Sequence, residues 1–177
     1  MSQSLETSNE LIPDSIRAEE LQARAKKKSK IKMTHSELIP QEKDNYCICS
    51  ILQGIFIKYG IRDSQDQIAA NLSPTEFGHK VDDERITTFL ISRGFDYRFY
   101  WHNETPFNEP NTLLWEISAN DGFIAIGRHA QRVLHFADPD IFIDDPADTK
   151  RKVVSIYEVL PDLARLGGGF GLIKRMS

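Results

Sequence analysis

The chain has 177 residues, 40% of them hydrophobic, which is enough for one folded domain with its own core. Its net charge of −4 does not suit a protein that coats nucleic acid or anionic lipid, and no apolar run is long enough to span a membrane. Met1-Ser-Gln-Ser-Leu-Glu6 has no basic segment followed by an apolar one, so the expected location is the cytoplasm, or export without a cleaved signal peptide.

Residues 1 to 35 contain no aromatic side chain, and their bases cluster late, at Arg24, Lys26, Lys27, Lys28, Lys30 and Lys32. With little apolar stripe to pack, this segment is expected to be a flexible or loosely helical extension. Residues 36–177 are expected to form the domain. An apolar run at helical spacing starts at Cys47, continues through Ile51, Leu52, Ile55 and Phe56, and stops at Gly60. A second, short helix is predicted from Asp63 to Leu72. A third starts at Asp82 or Asp83, carries Ile86, Phe89 and Leu90, and ends at Gly94. Phe95 to Trp101 alternates as a strand, and residues 102–111, with Pro106 and Pro110, read as a loop.

Beyond that loop a short helix is predicted over Leu113–Ile117 and a buried strand over Phe123–Ile126. Ala130–Phe136 and Ile141–Ile143 read as a hairpin around Asp138-Pro139-Asp140. Val153–Tyr157 is a strand or turn, followed by a short helix to Arg165. Gly167-Gly168-Gly169 reads as a flexible loop, and Lys150-Arg151-Lys152 as a solvated basic knuckle. Helices first and antiparallel strands later make an α+β pattern.

The chemistry-bearing residues are few. Cys47 and Cys49 are too close in sequence to bridge without severe strain, and they lack the second pair of a zinc site. Free thiols and a reducing compartment follow, and no cofactor or metal is called for. A thiol at a helix start is partly deprotonated by the helix dipole, and the thiolate is the reactive form. Gln41, upstream, can offer a side-chain N–H to an oxyanion. Downstream lie His129 and His135 as candidate bases, and Asp144 and Asp145 as candidates to orient one of them. His35, His79 and His102 lie in polar contexts and are assigned no role.

The order of these residues and elements resembles the bacteriocin-processing, double-glycine cysteine peptidases. Those are the papain-like domains found at the front of peptide-exporting transporters, together with their free-standing relatives. Gln41, Cys47, Lys58-Tyr59-Gly60, Arg93-Gly94-Phe95, His129 and Asp145-Pro146 fall in matching order at similar spacing. The likeness covers about residues 39 to 160. It implies a papain-like α+β fold, with N-terminal helices packed on a C-terminal antiparallel sheet. It also favours His129 over His135 as the base and Asp145 over Asp144 as its partner. Tyr46 and Ile48 stand where the family usually has Asp and Gly, which places a branched side chain near the substrate groove. With no membrane helix and no phosphate-binding loop, a free-standing member is implied.

The activity implied is that of a cysteine peptidase with a Cys47–His129–Asp145 triad, a Gln41 oxyanion donor and a peptide or protein substrate. The same triad would serve a glutamine deamidase or acyltransferase acting as a toxin or effector. A third possibility is an inactive papain-like domain that only binds peptides. The double glycine near the C-terminus also raises trimming or inhibition of the chain by its own tail.

Overall fold

The computed structural model describes residues 38–73, 83–104 and 109–177. The N-terminal lysine cluster, His35, His79 and Asp82 lie outside the described residues, as do residues 105–108 of the predicted proline loop.

Helix α1 spans Cys47–Lys58. All of its residues from Cys47 to Phe56 except Gln53 are buried, as expected of a helix that is apolar on nearly every side. It ends where Tyr59 and Gly60 turn their amides back to Phe56 and Ile57, with Gly60 at φ +79°. Helix α2, Gln65–Leu72, begins at a capping box: the Ser64 hydroxyl accepts from the Gln67 backbone and the Gln67 side chain accepts from the Ser64 backbone. Helix α3, Asp83–Ser92, carries Asp83 and Glu84 in its first turn, where negative charge suits the dipole.

Strand β1 is Phe95–Trp101 and helix α4 is Pro110–Ala119, longer at both ends than predicted, with Pro110 opening its first turn. Strands β2 (Asp121–Ile126), β3 (His129–Ala137), β4 (Asp140–Asp145) and β5 (Lys150–Ser155) follow as a meander. Helix α5, Ile156–Leu166, starts at a second capping box, Ser155 with Glu158, and strand β6 is Gly168–Arg175.

The six strands form one sheet in the order β1-β6-β2-β3-β4-β5, with every neighbouring pair antiparallel. The α+β class and the helices-then-sheet arrangement are as expected. Alternation along the strands then divides the core in two. Phe95, Tyr97, Phe123, Ala130 and Ile173 join α1, α2 and α3 in one buried cluster. Ile124, Val133, Phe136, Ile141, Ile143, Phe170 and Leu172 join α4 and α5 in another. Adjacent residues such as Phe123 and Ile124 enter different clusters, so helices cover both faces of the sheet. Each fully buried Phe, such as Phe56 or Phe95, contributes about 1.5–3 kcal/mol of transfer free energy.

One expectation is overturned by the last strand. Gly168 and Gly169 are not loop residues; they begin β6, which is inserted between β1 and β2. Gly168 has φ +128°, and a Cβ there would lie 2.0 Å from the Ala125 carbonyl oxygen. A Cβ at Gly169 would lie 2.0 Å from the carbonyl oxygen of Tyr100. Glycine is needed here because three strands approach closely, and this buried segment is not presented as a cleavable tail.

Candidate active site

Cys47 is the first residue of α1, and no side chain caps that helix at Tyr46. Its thiol therefore sits at the positive end of the helix dipole with no competing capping group from Tyr46. His129 opens β3 and Asp145 closes β4, and the antiparallel ladder sets these two strand ends side by side. His129 Nε2 lies 2.7 Å from Asp145 Oδ1. The same imidazole is hydrogen-bonded to Cys47. With Nε2 taken by Asp145, Nδ1 is the ring nitrogen left for the thiol.

The hydrogen bond to Cys47 raises the His129 pKa, and the hydrogen bond and charge of Asp145 add to it, together outweighing burial. Burial alone would raise the Asp145 carboxyl, but its hydrogen bonds hold it well below the usual carboxylate range. Lys152 Nζ donates to Asp145 Oδ2 at 2.9 Å and Gln131 Nε2 donates to the same oxygen at 2.6 Å. The Ala147 backbone N–H donates to Oδ1 at 3.1 Å. The arrangement can hold a thiolate–imidazolium pair and keep the ring oriented throughout a proton transfer.

The alternatives lie elsewhere. Burial, reinforced by the charge of Cys47, pushes the Cys49 thiol up to about 12, so Cys49 stays protonated at neutral pH. Asp144 is buried and takes Arg151 Nε at 2.9 Å, while its Oδ2 has no hydrogen-bond partner. His135 does not share the setting of His129. The β3–β4 register shifts between Val133 and His135, and His135 Nδ1 lies 3.0 Å from the Ser118 hydroxyl on α4. The basic knuckle is not simply solvated either. Arg151 pairs with Asp144, and Lys152 pairs with both Asp145 and Asp148.

Gln41 is tied to the end of β4 through its backbone, whose N–H donates to the Pro146 carbonyl at 3.0 Å, one residue past Asp145. Its Nε2 donates to the Asp44 carbonyl at 3.1 Å, and its buried Oε1 has no hydrogen-bond partner. An amide nitrogen carries two N–H groups, so one remains for an oxyanion. The loop from Pro40 to Tyr46 is fastened to α2. Gln65 Oε1 accepts the Glu42 N–H at 2.9 Å, and Gln65 Nε2 donates to the Pro40 carbonyl at 2.8 Å and to Gln53 Oε1 at 3.1 Å. Tyr46 donates its hydroxyl to Asp66 Oδ1 at 2.9 Å, and Lys43 Nζ meets the same oxygen at 2.6 Å.

Tyr46 and Ile48 are each 8% exposed, and Cys47 itself is 1% exposed. The imidazole, with a side-chain exposure of 35%, is the accessible member of the group.

Gln131, Lys152 and Gln65 were missed in the sequence. Gln131 stands two residues after His129, so strand parity could have flagged it. Lys152 lies on β5 opposite Ile143, a diagonal neighbour of Asp145, and needed the register to be known. Gln65 carried no sequence signal beyond its place at the start of α2.

At least two solved structures share this architecture. One is a double-glycine motif protease from an AMS/PCAT transporter in complex with the leader peptide. It matches with a TM-score of 0.63 at 15% identity, over 83% of this chain and 96% of that one. The fold is that of the double-glycine peptidase domains. The second is the peptidase domain of Streptococcus ComA, a bifunctional ABC transporter involved in a quorum-sensing pathway. It matches with a TM-score of 0.59 at 18% identity, over 81% of this chain and 100% of that one. No protein-family model matches the chain, and no curated protein matches it in sequence. The double-glycine peptidase fold is thus reached here by a distant sequence. Among the described residues no helix is long and apolar enough to cross a membrane.

Proposed function

We propose that this chain is a papain-like cysteine peptidase whose nucleophile is Cys47, with His129 as acid and base, Asp145 as its orienting partner and Gln41 as an oxyanion donor. The observation that carries this reading is the position of His129. It is hydrogen-bonded to the thiol at a helix start and, 2.7 Å away, to a carboxylate held ionised by its own donors.

The chemistry follows in two steps. The Cys47 thiolate attacks the acyl carbon, forming a C–S bond and an oxyanion that Gln41 and the Cys47 backbone N–H receive. The His129 imidazolium then protonates the leaving amine as the C–N bond breaks, and a thioacyl enzyme remains. Water, deprotonated by His129, attacks that thioester and releases the acid and the thiol. Asp145 keeps one tautomer and one ring orientation through both steps. The substrate class is a peptide or protein chain. Support for it comes from the fold neighbour seen in complex with its leader peptide.

Alkylation by iodoacetamide between pH 5 and 9, followed by intact mass, tests the triad. Wild type is expected to label once, at Cys47, at least about tenfold faster at pH 6 than a free thiol, because His129 can accept the thiol proton and the thiolate is the nucleophile. His129→Ala is expected to lose that advantage. Labelling of wild type at the free-thiol rate would sink the triad. Incubation with a double-glycine peptide then separates the chemistries: a cut chain marks a peptidase, and released ammonia a deamidase.

The burial of Cys47 and of both its neighbours favours one second reading, a domain that binds peptides without cleaving them. On that reading Cys47→Ala leaves peptide affinity unchanged, and no product forms with wild type.

A further inference from the structure

Gln65, the first residue of α2, is 0% exposed, yet it carries a primary amide. Burying an amide is unfavourable unless its hydrogen bonds are made, whereas an apolar side chain there would incur no such penalty. The placement of those bonds is specific. The Gln65 oxygen takes the Glu42 N–H, and its nitrogen gives to the Pro40 carbonyl and to Gln53 Oε1. Pro40 and Glu42 are the two neighbours of Gln41. Gln65 therefore grips the backbone on both sides of the proposed oxyanion donor, much as a paired strand would.

The loop needs such a grip. Residues 38–46 form neither helix nor strand, so no ladder or helical turn fixes Gln41. Its other backbone tie, to the Pro146 carbonyl, comes from the side of Asp145. Gln65 supplies the opposing tie from α2, and Gln53 of α1 completes it. The nucleophile's helix, the acid's strand end and the oxyanion loop are joined through these contacts.

We propose that Gln65 is a positioning residue that sets the Gln41 amide for oxyanion binding, a role that rests on the peptidase reading of Gln41. The experiment compares two reactions of the same thiol. Alkylation by iodoacetamide displaces iodide at a tetrahedral carbon and forms no oxyanion. Acylation by p-nitrophenyl acetate passes through a tetrahedral oxyanion, releases p-nitrophenolate and leaves an acetyl thioester on Cys47.

Both rates are measured for the whole chain as wild type, Gln41→Ala, Gln65→Met and Gln53→Ala. Loss of one oxyanion donor is worth about 10²–10³ in rate. Gln41→Ala is expected to lose acylation on that scale, Gln65→Met about tenfold or more, and Gln53→Ala less. Alkylation is expected to stay within about twofold throughout, since the helix dipole and His129 still activate the thiol. Intact mass reports folding, because loss of structure exposes Cys49 and gives two labels instead of one. Gln53→Ala covers the case in which Gln65→Met does not fold, because it loosens the Gln65 amide without removing it from the core.

If Gln41→Ala loses acylation while the folded Gln65 and Gln53 variants keep it, the role given to Gln65 is wrong and the peptidase reading stands. If those variants lose acylation and alkylation in parallel, Gln65 is only structural. If Gln41→Ala acylates like wild type, or wild type does not acylate at all, the reading of Gln41 fails and this proposal fails with it.

Discussion

Asp145 accepts hydrogen bonds from four donors, and one of them, Lys152, carries a full positive charge. That charge opposes protonation of His129, which shares the same carboxylate. Lys152→Met should therefore raise the His129 pKa further, while Gln131, His129 and the Ala147 amide keep Asp145 ionised at neutral pH. Lys152 is 37% exposed, so solvent screens much of its effect. Exposed pairs are worth about 0.2–1 kcal/mol, which corresponds to roughly 0.15–0.7 of a pH unit. An NMR titration of the His129 ring in wild type and Lys152→Met checks the sign; a downward move would contradict it. At this scale the structure brings together Cys47, His129 and Asp145, the residue types that their order in the sequence had singled out. The supporting shell was hidden, because Gln131, Lys152 and Gln65 act through register and loop contacts that no short motif encodes.

Elements were legible wherever a local signal set their ends. Gly60 and Gly94, both at positive φ, stop α1 and α3 as read from sequence, and Ser64 starts α2 through its capping box. One misreading and one rejected alternative share a cause, which is that long-range pairing overrides local propensity. His135 has the sequence parity of His129, but a bulge in β3 breaks the count. The Gly167–Gly169 run looks like a loop, yet its second and third residues sit in the sheet because β1 and β2 close on β6 from both sides. That placement predicts an ordering of stabilities. Gly60→Ala meets no atom within 4 Å and should lose only the positive-φ penalty, about 1–2 kcal/mol. Gly168→Ala meets the Ala125 carbonyl at 2.0 Å as well and should lose more, about 3 kcal/mol or beyond. Urea unfolding of both variants measures the difference. Equal losses would mean that β6 can move away from β2 at little cost.

Across the whole molecule, the candidate site joins two layers. Cys47 belongs to the helix layer, buried with α1, α2 and α3, whereas His129 and Asp145 belong to the ends of sheet strands. Protonation at the site is therefore coupled to the docking of helices on the sheet. The signs are separate for the two ionisable partners. His129 has a raised pKa, so its contribution is complete below the ordinary value of 6.5 and is lost as pH rises through the higher, folded value. Asp145 has a lowered pKa, so its contribution is complete above the ordinary value of 3.8 and is lost as pH falls toward the lower, folded value. Both contributions are complete only between 3.8 and 6.5. The gap in Tm between wild type and His129→Ala should be widest in that window and narrow on either side of it. Thermal melts from pH 3 to 9 test this directly, because removing the imidazole removes its coupling to both Cys47 and Asp145. A gap that kept widening above pH 8 would mean that His129 stabilises the fold as a neutral, packed ring, and that the thiolate–imidazolium pair does not hold the two layers together.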